Sequence, residues 1–532
     1  MIKVDNITLT PGESEKHLPD KVCRKLHIRQ DQLLSLWILR RSVDARKGRP
    51  VRVLYSLACE VKGESRHKGA VPYRPFVYRA PESGTKELSH PPVIVGAGPC
   101  GLFAAWLLAK QGYRPILLER GKCVEERQKA LTAFWETGVF DPYGSASFGE
   151  GGAGTFSDGK LYTSVKDPSG RGREILRIFV SLGAPEEILY DSAPHLGTDV
   201  LFRILQEMRK QLLAMGAEIR FSTHMTELVI RNKRLSAVKT KEGAEIPCEV
   251  LVLSIGHSAR DTFVMLKEAG LPMEQKPFAM GFRVEHPQAL IDQIQYREAA
   301  GLLPPASYHL SHTTKAGRGV YSFCMCPGGY VINAASEEQS ITVNGMSYSG
   351  RGSQTANSAI IVQVSPTDYD AEKPYKGHPA LKGISLQRRL EHKAWELGND
   401  AIPQQLFGDY KQNKESTAYG AFSSRHKGAA AFSNLRGLLL PEMEDAFLEG
   451  MADFGKKLPG FDRADAVLSG IEARTSSPVR ILRNERLETE PAGIYPAGEG
   501  AGYAGGIVSA AMDGMRTAEE IIRTYERPKE ND

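Results

Sequence analysis

The sequence predicts an α/β fold that contains a mixed α+β insertion and begins with a small α+β module. Three observations support this prediction. Residues 93–120 have the pattern of a strand, a glycine-rich turn, a helix and a second strand, which is the repeating order of a parallel sheet. Residues 277–440 have instead the pattern of antiparallel strands separated by glycine-rich loops. After residue 460 the strand, turn and helix order returns, so one α/β domain encloses the insertion.

These changes of pattern divide the chain of 532 residues into five segments. We expect an N-terminal α+β module (1–60), a linker or extended arm (61–90), the first part of the main domain (91–276), an inserted substrate domain (277–459) and the second part of the main domain (460–532). Within the module, "MIKVDNITL" and "VRVLYSLACEV" predict strands, whereas "DQLLSLWILRRSV" has a mixed periodicity that predicts neither strand nor helix.

Composition and charge exclude several classes of protein. Hydrophobic residues make up 41% and charged residues 25%, which is ordinary for a soluble globular protein. The N-terminus has no signal-peptide pattern, and no segment reaches the roughly 20 apolar residues of a membrane span, so we expect a cytoplasmic protein without membrane contact. The formal net charge of +5 argues against extensive nucleic-acid binding. Residues 20–52 contain ten Lys and Arg against three Asp, for which we favour a solvated face over a nucleic-acid site.

The seven cysteines have no metal-ligand spacing, and no metal site is predicted. Cys324 and Cys326 would share one face of an extended strand, where a spacing of two residues suits a disulfide poorly. We therefore expect them to be small buried residues in a reducing compartment rather than a redox-active pair.

The first glycine-rich turn, in "VIVGAGPCGLFAA", predicts a dinucleotide site. Gly96 allows a sharp turn, Gly98 allows close approach of a pyrophosphate, and Gly101 allows the helix to pack against the sheet. Glu119 ends the next strand, where a carboxylate accepts the ribose hydroxyls and disfavours a 2′-phosphate. The site therefore suits FAD or NAD. The residues assigned to it are Gly96, Gly98, Pro99, Gly101, Glu119, Arg120 and Arg127.

Three later segments favour FAD over NAD. The loop "EGGAGTFSDGK" offers backbone amides and polar side chains, and "VLVLSIGHSARD" is an apolar strand that ends in a glycine turn. In "GIYPAGEGAGYAGGIVSAAMDGMRTA" a helix begins after a glycine turn, and its N-terminus would stabilise the negative charge of a reduced flavin. The residues assigned to the flavin half are Gly152, Thr155, Asp158, Lys160, Gly256, Gly498, Glu499, Gly500, Gly506 and Ile507.

Six motifs spread over nearly the whole chain carry a resemblance to a known family: "VIVGAGPCGLFAA", "FGEGGAGTFSDGKLYT", "APHLGTD", "FCMCPGG", "RTSSPVRI" and "YPAGEGAGYAGGI". The chain resembles the bacterial FAD-dependent (NAD(FAD)-utilising) dehydrogenases among the two-dinucleotide-fold flavoproteins. This resemblance implies a Rossmann-type, glutathione-reductase-like FAD-binding domain with an inserted mixed domain, and it implies no particular substrate. A more distant likeness is to flavoproteins that include ene-reductases acting on steroid-like enones. Many broader relatives have Asp where this chain has Glu499.

No second strand, GxGxxG turn and helix unit occurs, so a dedicated NAD(P)H domain is not expected. NADH or NADPH would visit the flavin transiently, or the electrons would come from the substrate or a carrier protein. The sequence does not define the catalytic residues, and the candidates are His257, Arg474 and Arg283. Arg283 and Glu285 would share a strand face, where we favour an ion pair over a substrate clamp.

The sequence therefore predicts an FAD-dependent oxidoreductase that transfers a hydride through flavin N5 to or from a small-molecule substrate. Two alternatives remain open. One is an RNA-associated flavoprotein whose basic N-terminal module binds nucleic acid. The other is a redox-sensing flavoprotein that does not turn over. No oligomeric state is predicted.

Overall fold

The computed structural model describes residues 1–63 and 67–528. Residues 64–66 of the predicted linker and residues 529–532 of the predicted last segment lie outside the described residues. The N-terminal module comprises β1 (Ile2–Leu9), α1 (Leu18–Leu26), β2 (Leu33–Asp44), β3 (Arg52–Val61) and β4 (Ala70–Pro72). Its sheet has the order β2-β3-β1-β4, and α1 packs on it through Val22 and Leu26. The strands predicted at β1 and β3 are confirmed.

The rest of the chain contains twenty strands and ten α-helices within the described ranges. The strands are β5 (Val93–Val95), β6 (Ile116–Leu118), β7 (Glu218–Arg220), β8 (Met225–Arg231), β9 (Arg234–Thr240), β10 (Glu245–Pro247), β11 (Leu251–Leu253), β12 (Met273–Gln275), β13 (Phe278–Pro287), β14 (Ser311–Thr313), β15 (Gly319–Cys326), β16 (Tyr330–Asn333), β17 (Val343–Met346), β18 (Thr355–Val364), β19 (Ile402–Leu406), β20 (His426–Lys427), β21 (Ala430–Phe432), β22 (Val467–Glu472), β23 (Val479–Ile481) and β24 (Ile494–Pro496). The helices are α2 (Pro99–Lys110), α3 (Val124–Thr137), α4 (Arg171–Ser181), α5 (Thr198–Ala214), α6 (Arg260–Glu268), α7 (Gln288–Tyr296), α8 (Lys382–Gly398), α9 (Phe407–Gln412), α10 (Pro441–Lys457) and α11 (Ile507–Thr524).

The main domain is built on a parallel sheet of order β24-β11-β5-β6-β7. Strands β5, β6, β11 and β24 each contribute apolar residues to the core on both faces, so the sheet is covered on both sides. Helices α2 and α11 pack so closely that a Cβ on Gly514 would overlap the Cys100 carbonyl oxygen, and glycine at this position makes the contact possible. A three-stranded antiparallel sheet of order β10-β9-β8 lies beside them. The predicted α/β fold class is confirmed.

The inserted domain is built on a seven-stranded sheet of order β14-β15-β18-β13-β22-β19-β21. Its centre is the antiparallel pair β13 and β18, which runs in register from Phe278 opposite Val364 to Pro287 opposite Thr355. β22 pairs with both β13 and β19, although our prediction placed its residues in the second part of the main domain, which we began at 460. The sheet therefore extends past that boundary, because an antiparallel pairing partner cannot be read from a short apolar segment.

The module and the predicted linker contact the main domain. Arg41 donates two hydrogen bonds to the Asp191 carboxylate, at 2.6 and 2.9 Å, and the backbone amide of Arg41 donates to the Tyr190 carbonyl oxygen at 2.7 Å. The Gly84 amide donates to the Ile522 carbonyl oxygen at 2.7 Å. The segment predicted as a linker thus contains the last residue of β3 and all of β4, and it continues as an arm along the end of α11. RNA binding by the module remains a prediction.

Candidate functional site

In the glycine turn after β5, packing leaves no room for a side chain at Gly96 or Gly101, whereas the space beside Gly98 is open. Gly96 has φ +103°, and a Cβ on Gly96 would overlap the Ser254 carbonyl oxygen. A Cβ on Gly101 would overlap the Gly96 carbonyl oxygen and lie 2.6 Å from Ser254 Oγ. A Cβ on Gly98 would meet no atom nearer than Gly152 Cα at 3.9 Å. The turn therefore leaves open space in front of the N-terminus of α2, where unpaired backbone amides favour an anion.

Glu119 links this turn to the loop that follows α3. It follows β6 and is 5% exposed. Its Oε2 accepts a hydrogen bond from the Ala97 amide at 2.7 Å, and its Oε1 accepts from the Gly121 and Gly149 amides at 2.8 and 2.9 Å. The carboxylate thus lies beside the glycine turn, as its position in the sequence predicts. Its contact with ribose hydroxyls remains a prediction.

Arg120 and Arg127 lie near the same turn but have other partners. Arg120 forms two hydrogen bonds to the Asp261 carboxylate, at 2.8 and 2.9 Å. Arg127 is fully buried and donates to four carbonyl oxygens, which belong to Ser145, Ala146, Glu150 and Gly152 at 2.7 to 3.0 Å. Burial lowers the pKa of Arg127 to about 9. Arg127 therefore holds the loop in shape by satisfying its carbonyl groups.

The loop that Arg127 holds ends in a short 3₁₀ helix, Gly152–Phe156. A Cβ on Gly152 would lie 3.0 Å from Gly98 Cα, so the loop and the first glycine turn are in close contact. Thr155 is buried, and its hydroxyl donates to the Glu150 carbonyl oxygen at 3.2 Å. A Cβ on Gly154 would meet Ile507 Cγ1 at 3.0 Å and Pro99 Cγ at 3.7 Å. Gly154 therefore lies between the N-termini of α2 and α11.

The last glycine segment completes this edge of the sheet. A Cβ on Gly498 would lie 2.8 Å from Cys100 Cβ, and a Cβ on Gly500 would lie 2.5 Å from the Gly256 carbonyl oxygen. Gly506, with φ +101°, precedes α11 and is exposed, and a Cβ on it would meet no atom within 4 Å. No side chain caps the N-terminus of α11. The turns after β5, β11 and β24 therefore meet at one sheet edge, where ligands of α/β folds bind.

Asp158 and Lys160 face the inserted domain. Asp158 is buried and accepts hydrogen bonds from Lys160 Nζ and Ser347 Oγ, both at 2.6 Å, and Arg351 lies 3.4 Å away. Burial opposes the ionisation of Asp158, but the charges of Lys160 and Arg351 outweigh it and lower the pKa of the carboxyl. Lys160 Nζ also donates to the Met325 carbonyl oxygen. We call Asp158, Lys160, Ser347 and Arg351 the Asp158 cluster.

Two of the three catalytic candidates lie near the flavin-half glycines. His257 Nδ1 lies 3.5 Å from Glu499 Oε1, and both side chains are partly accessible. Arg474 donates to both oxygens of Glu391 at 2.7 and 2.8 Å, and its Nη1 lies 3.2 Å from Ser258 Oγ. Glu391 is fully buried and also binds Arg260, which pairs in addition with Glu337, so two carboxylates compensate the charges of Arg474 and Arg260 within the protein.

The predicted ion pair between Arg283 and Glu285 is wrong. Arg283 is fully buried and binds both oxygens of Glu472 on β22, at 2.6 and 2.7 Å. Glu285 accepts hydrogen bonds from Ser424 Oγ and from the Arg425 amide. The reason is the sheet order, since β22 lies next to β13 and brings Glu472 to the guanidinium. Arg283 is therefore a structural residue of the inserted sheet rather than a substrate clamp.

These residues fit a dinucleotide cofactor. Two helix N-termini without side-chain caps border the Gly152–Phe156 loop, and the open face of Gly98 leaves room for a phosphate group. The exposed backbone before α11 offers a second site for a group with negative charge. Glycines lie in the turns after β5, β11 and β24. Because they have no side chains, an elongated ligand can approach the backbone closely along this edge.

The family comparisons agree with this geometry. A family model described as "FAD-dependent protein, C-terminal domain-like" matches residues 277–475, and one described as "NAD(P)-binding Rossmann-like domain" matches residues 94–124. A domain of unknown function matches residues 1–60. An uncharacterised protein of Clostridium beijerinckii is 41% identical over 540 residues, which span 99% of this chain and 100% of that protein. The chain belongs to this family of FAD-dependent proteins. FAD is the cofactor of this flavoprotein.

Solved structures of other flavoproteins are similar to this chain over most of its length, but at low sequence identity. The quinol fumarate reductase of E. coli is 12% identical, over 83% of this chain and 70% of that one, with a TM-score of 0.36. A flavin-dependent brominase is 13% identical, over 81% and 80%, with a TM-score of 0.37. Glycine oxidase of Bacillus cereus is 13% identical, over 81% and 95%, with a TM-score of 0.32. Similarity at this level supports no statement about the chemistry of this flavoprotein. Within the described part of the chain, no helix combines the length and the apolarity needed to cross a membrane.

Sequence reasoning missed Ser254, Glu150 and the partners of Asp158. Ser254 Oγ bonds to the Val95 and Gly96 carbonyl oxygens at 2.8 and 2.9 Å and so fixes the glycine turn. Burial raises the pKa of Glu150 to about 7, although Arg209 lies 3.0 Å away. The signal for Ser254 was its place at the end of an apolar strand. No local signal pointed to the distant partners.

Proposed function

We propose that the protein is an FAD-dependent oxidoreductase that transfers a hydride through flavin N5 to or from a small-molecule substrate. The observation that carries the proposal is the convergence of the α2 and α11 N-termini on the Gly152–Phe156 loop. The first N-terminus suits the pyrophosphate of the cofactor. The second suits the pyrimidine edge of the flavin ring, where negative charge is stabilised in the reduced state.

The residues of α11 support this role because the helix is long and its first turn is open. It has 18 residues, so its macrodipole is fully developed at the N-terminus. Gly505 and Gly506 are exposed, and a Cβ on either would meet no atom within 4 Å. The Gly505 amide donates to Ser509 Oγ at 3.3 Å, whereas the backbone at Gly506 can approach a planar ring without obstruction from a side chain.

The substrate would bind where the inserted domain faces this edge of the sheet, as is common for ligands between domains. His257 and Glu499 border the flavin half from the main domain. The Asp158 cluster joins the two domains, since Ser347 and Arg351 come from the insertion. His257 is the side chain we propose to position the substrate or exchange a proton with it, because it is partly accessible and lies 3.5 Å from the Glu499 carboxylate at the flavin half of the site.

The electron donor is part of this proposal. A second strand, GxGxxG turn and helix unit does not occur in the sequence, which supports transient binding of NADH or NADPH or direct reduction by the substrate. The test is anaerobic. The purified holoprotein is mixed with NADH or NADPH while the visible flavin band is recorded, and photoreduction of the same sample shows that the flavin can be reduced.

Rapid bleaching by one nicotinamide would identify a reductase and direct the search to oxidised acceptors. A flavin that bleaches only by photoreduction would favour the substrate or a carrier protein as donor, or the redox-sensing flavoprotein that does not turn over. In His257→Asn we expect unchanged FAD content and slower transfer to the acceptor by about 10²-fold, which is typical of losing a general acid–base group. His27→Asn is the matched control, since His27 lies in the left-handed conformation that Asn tolerates, within the module. Equal rates for both variants would contradict the role of His257.

A further inference from the structure

The strand that carries Cys324 and Cys326 is not extended where the cysteines lie. β15 pairs with β18 as far as Phe323 opposite Ala359, and then the register shifts before Cys326 pairs opposite Asn357. Cys324 has φ +44°, in the left-handed region that residues other than glycine rarely adopt. This segment therefore lacks the extended conformation in which a spacing of two residues suits a disulfide poorly.

The two thiols lie close together in a slot lined by glycine. Cys326 Sγ lies 3.2 Å from the Cys324 carbonyl oxygen and donates a hydrogen bond to it. A Cβ on Gly345 would lie 2.6 Å from Cys326 Sγ, and a Cβ on Gly329 would lie 2.9 Å from Cys326 Cβ. Cys326 is fully buried, whereas Cys324 is partly exposed. Cys324 is thus the more exposed member of the pair, as an attacking thiol is relative to its resolving partner.

Two cations lie beside this pair. Arg283 Nη1 lies 3.8 Å from Cys326 Sγ and donates to the Cys324 carbonyl oxygen at 3.0 Å. A hydrogen bond from the Cys326 side chain, followed by the charges of Lys160 and Arg283, lowers the pKa of Cys324 against the effect of burial. By contrast, burial raises the pKa of Cys100 even though the charge of Arg483 opposes it, and burial also raises the pKa of Cys248. Cys324 therefore has the environment of a reactive thiol.

The pair is connected directly to the loop of the FAD site. Lys160 Nζ donates to the carbonyl oxygen of Met325, the residue between the two cysteines. Lys160 follows the Gly152–Phe156 turn in the same loop, and that turn contacts both Gly98 and Ile507. A single side chain thus separates the backbone of the cysteine pair from the loop that borders the cofactor.

We propose that Cys324 and Cys326 form a redox-active dithiol that exchanges two electrons with the bound FAD. In the oxidised form a bond joins the two sulfur atoms. When two electrons and two protons pass from the reduced flavin to the sulfurs, this bond breaks, two thiols form and the flavin is reoxidised. The reverse transfer forms the bond, reduces the flavin and leaves the same numbers of electrons and protons in the protein. No further reactant is needed.

The test counts electrons. The holoprotein is oxidised with ferricyanide, desalted without oxygen and titrated with dithionite while the flavin absorbance is recorded. We expect uptake of four electrons per flavin in the native protein and of two in Cys324→Ser. Cys123→Ser is the matched control, because Cys123 is also partly exposed but precedes α3, where Ser is a favoured N-cap residue. This control should take up four electrons.

A second readout needs no variant. After oxidation, the native protein is unfolded, treated with N-ethylmaleimide and digested, and the peptide with both cysteines is weighed. We expect it to be unlabelled and lighter by two hydrogen atoms, and doubly labelled after reduction. Uptake of two electrons by the native protein, or double labelling after oxidation, would overturn the proposal. Because the test requires bound FAD but no substrate, it can fail or succeed independently of the proposed reaction.

Discussion

Replacement of Gly98 by alanine separates cofactor binding from folding. Gly98 has φ −75° and ψ 178°, which alanine adopts freely, and its new Cβ would lie 3.9 Å from the nearest atom, Gly152 Cα. The added methyl group therefore fits the protein as it stands. It would, however, occupy the space in front of α2 where we place the pyrophosphate.

The size of both effects follows from this geometry. Replacement of glycine by alanine in a compatible conformation changes stability by about 0.4 to 1 kcal/mol, and the loss of glycine at an N-cap position opposes this gain by a similar amount. We therefore expect the free energy of unfolding of the apoprotein to stay within about 1 kcal/mol of the native value. An anion at a helix N-terminus is worth up to about 2 kcal/mol, so its displacement should raise the Kd for FAD by about 30-fold.

The assay measures the two quantities on the same protein. FAD is removed at high salt and low pH, and the refolded apoprotein is titrated with FAD while the quenching of flavin fluorescence gives the Kd. Urea unfolding of the apoprotein gives the free energy of unfolding. Gly101→Ala should show the opposite pattern, with loss of the folded state, because its Cβ would overlap the Gly96 carbonyl oxygen.

Gly350→Ala is the control, since a Cβ on Gly350 would meet no atom within 4 Å and its φ is not positive. It should change neither quantity. If Gly98→Ala binds FAD with the native Kd, the pyrophosphate does not approach the backbone at this position and our placement of the cofactor is refuted. If its apoprotein unfolds at much lower urea concentration, the methyl group acts on the fold instead.

Three further predictions concern buried charge and domain contact. Glu391→Gln should lower the free energy of unfolding at pH 7 by about 3 to 5 kcal/mol, because two buried guanidinium groups lose their shared carboxylate. Burial opposes ionisation, but these two arginines lower the pKa of Glu391 to about 2. Native stability should therefore fall by about 3 kcal/mol between pH 4.5 and 2, and the variant should lack this fall in urea unfolding. Arg127→Leu should lower the free energy of unfolding by about 3 kcal/mol and reduce FAD content, because four carbonyl oxygens lose their donor. Arg41→Ala should speed hydrogen exchange around Asp191 while costing about 1 kcal/mol or less, whereas Arg46→Ala, whose partner is within the module, should leave that segment unchanged.

Each of these has a contrary result. A Glu391 variant with the native pH profile would show that another carboxyl group controls acid unfolding. Full FAD content in the Arg127 variant would show that the loop keeps its shape without the guanidinium. Unchanged exchange at Asp191 in the Arg41 variant would show that backbone hydrogen bonds alone hold the module in place.

The glycine-rich stretches could be predicted from the sequence because their constraints are local. Gly96 and Gly101 stand where a strand ends and a helix starts, and the structure shows that neither position has room for a side chain. The segment "DQLLSLWILRRSV" could not be predicted, since β2 pairs with only one strand of its sheet and its residues alternate irregularly between half-buried and exposed.

By itself, the sequence determined the turns and helix starts of the FAD site, because backbone conformation and apolar periodicity depend on neighbours a few residues away. Only the tertiary structure decided which charges meet. Arg283 binds Glu472 and not Glu285, although Glu472 is 189 residues away in the chain. Asp158 likewise binds Ser347, and the two cysteines come together at a shift in strand register. Such contacts follow from strand order and register, which are fixed by the packing of the whole sheet and leave no trace in a local pattern.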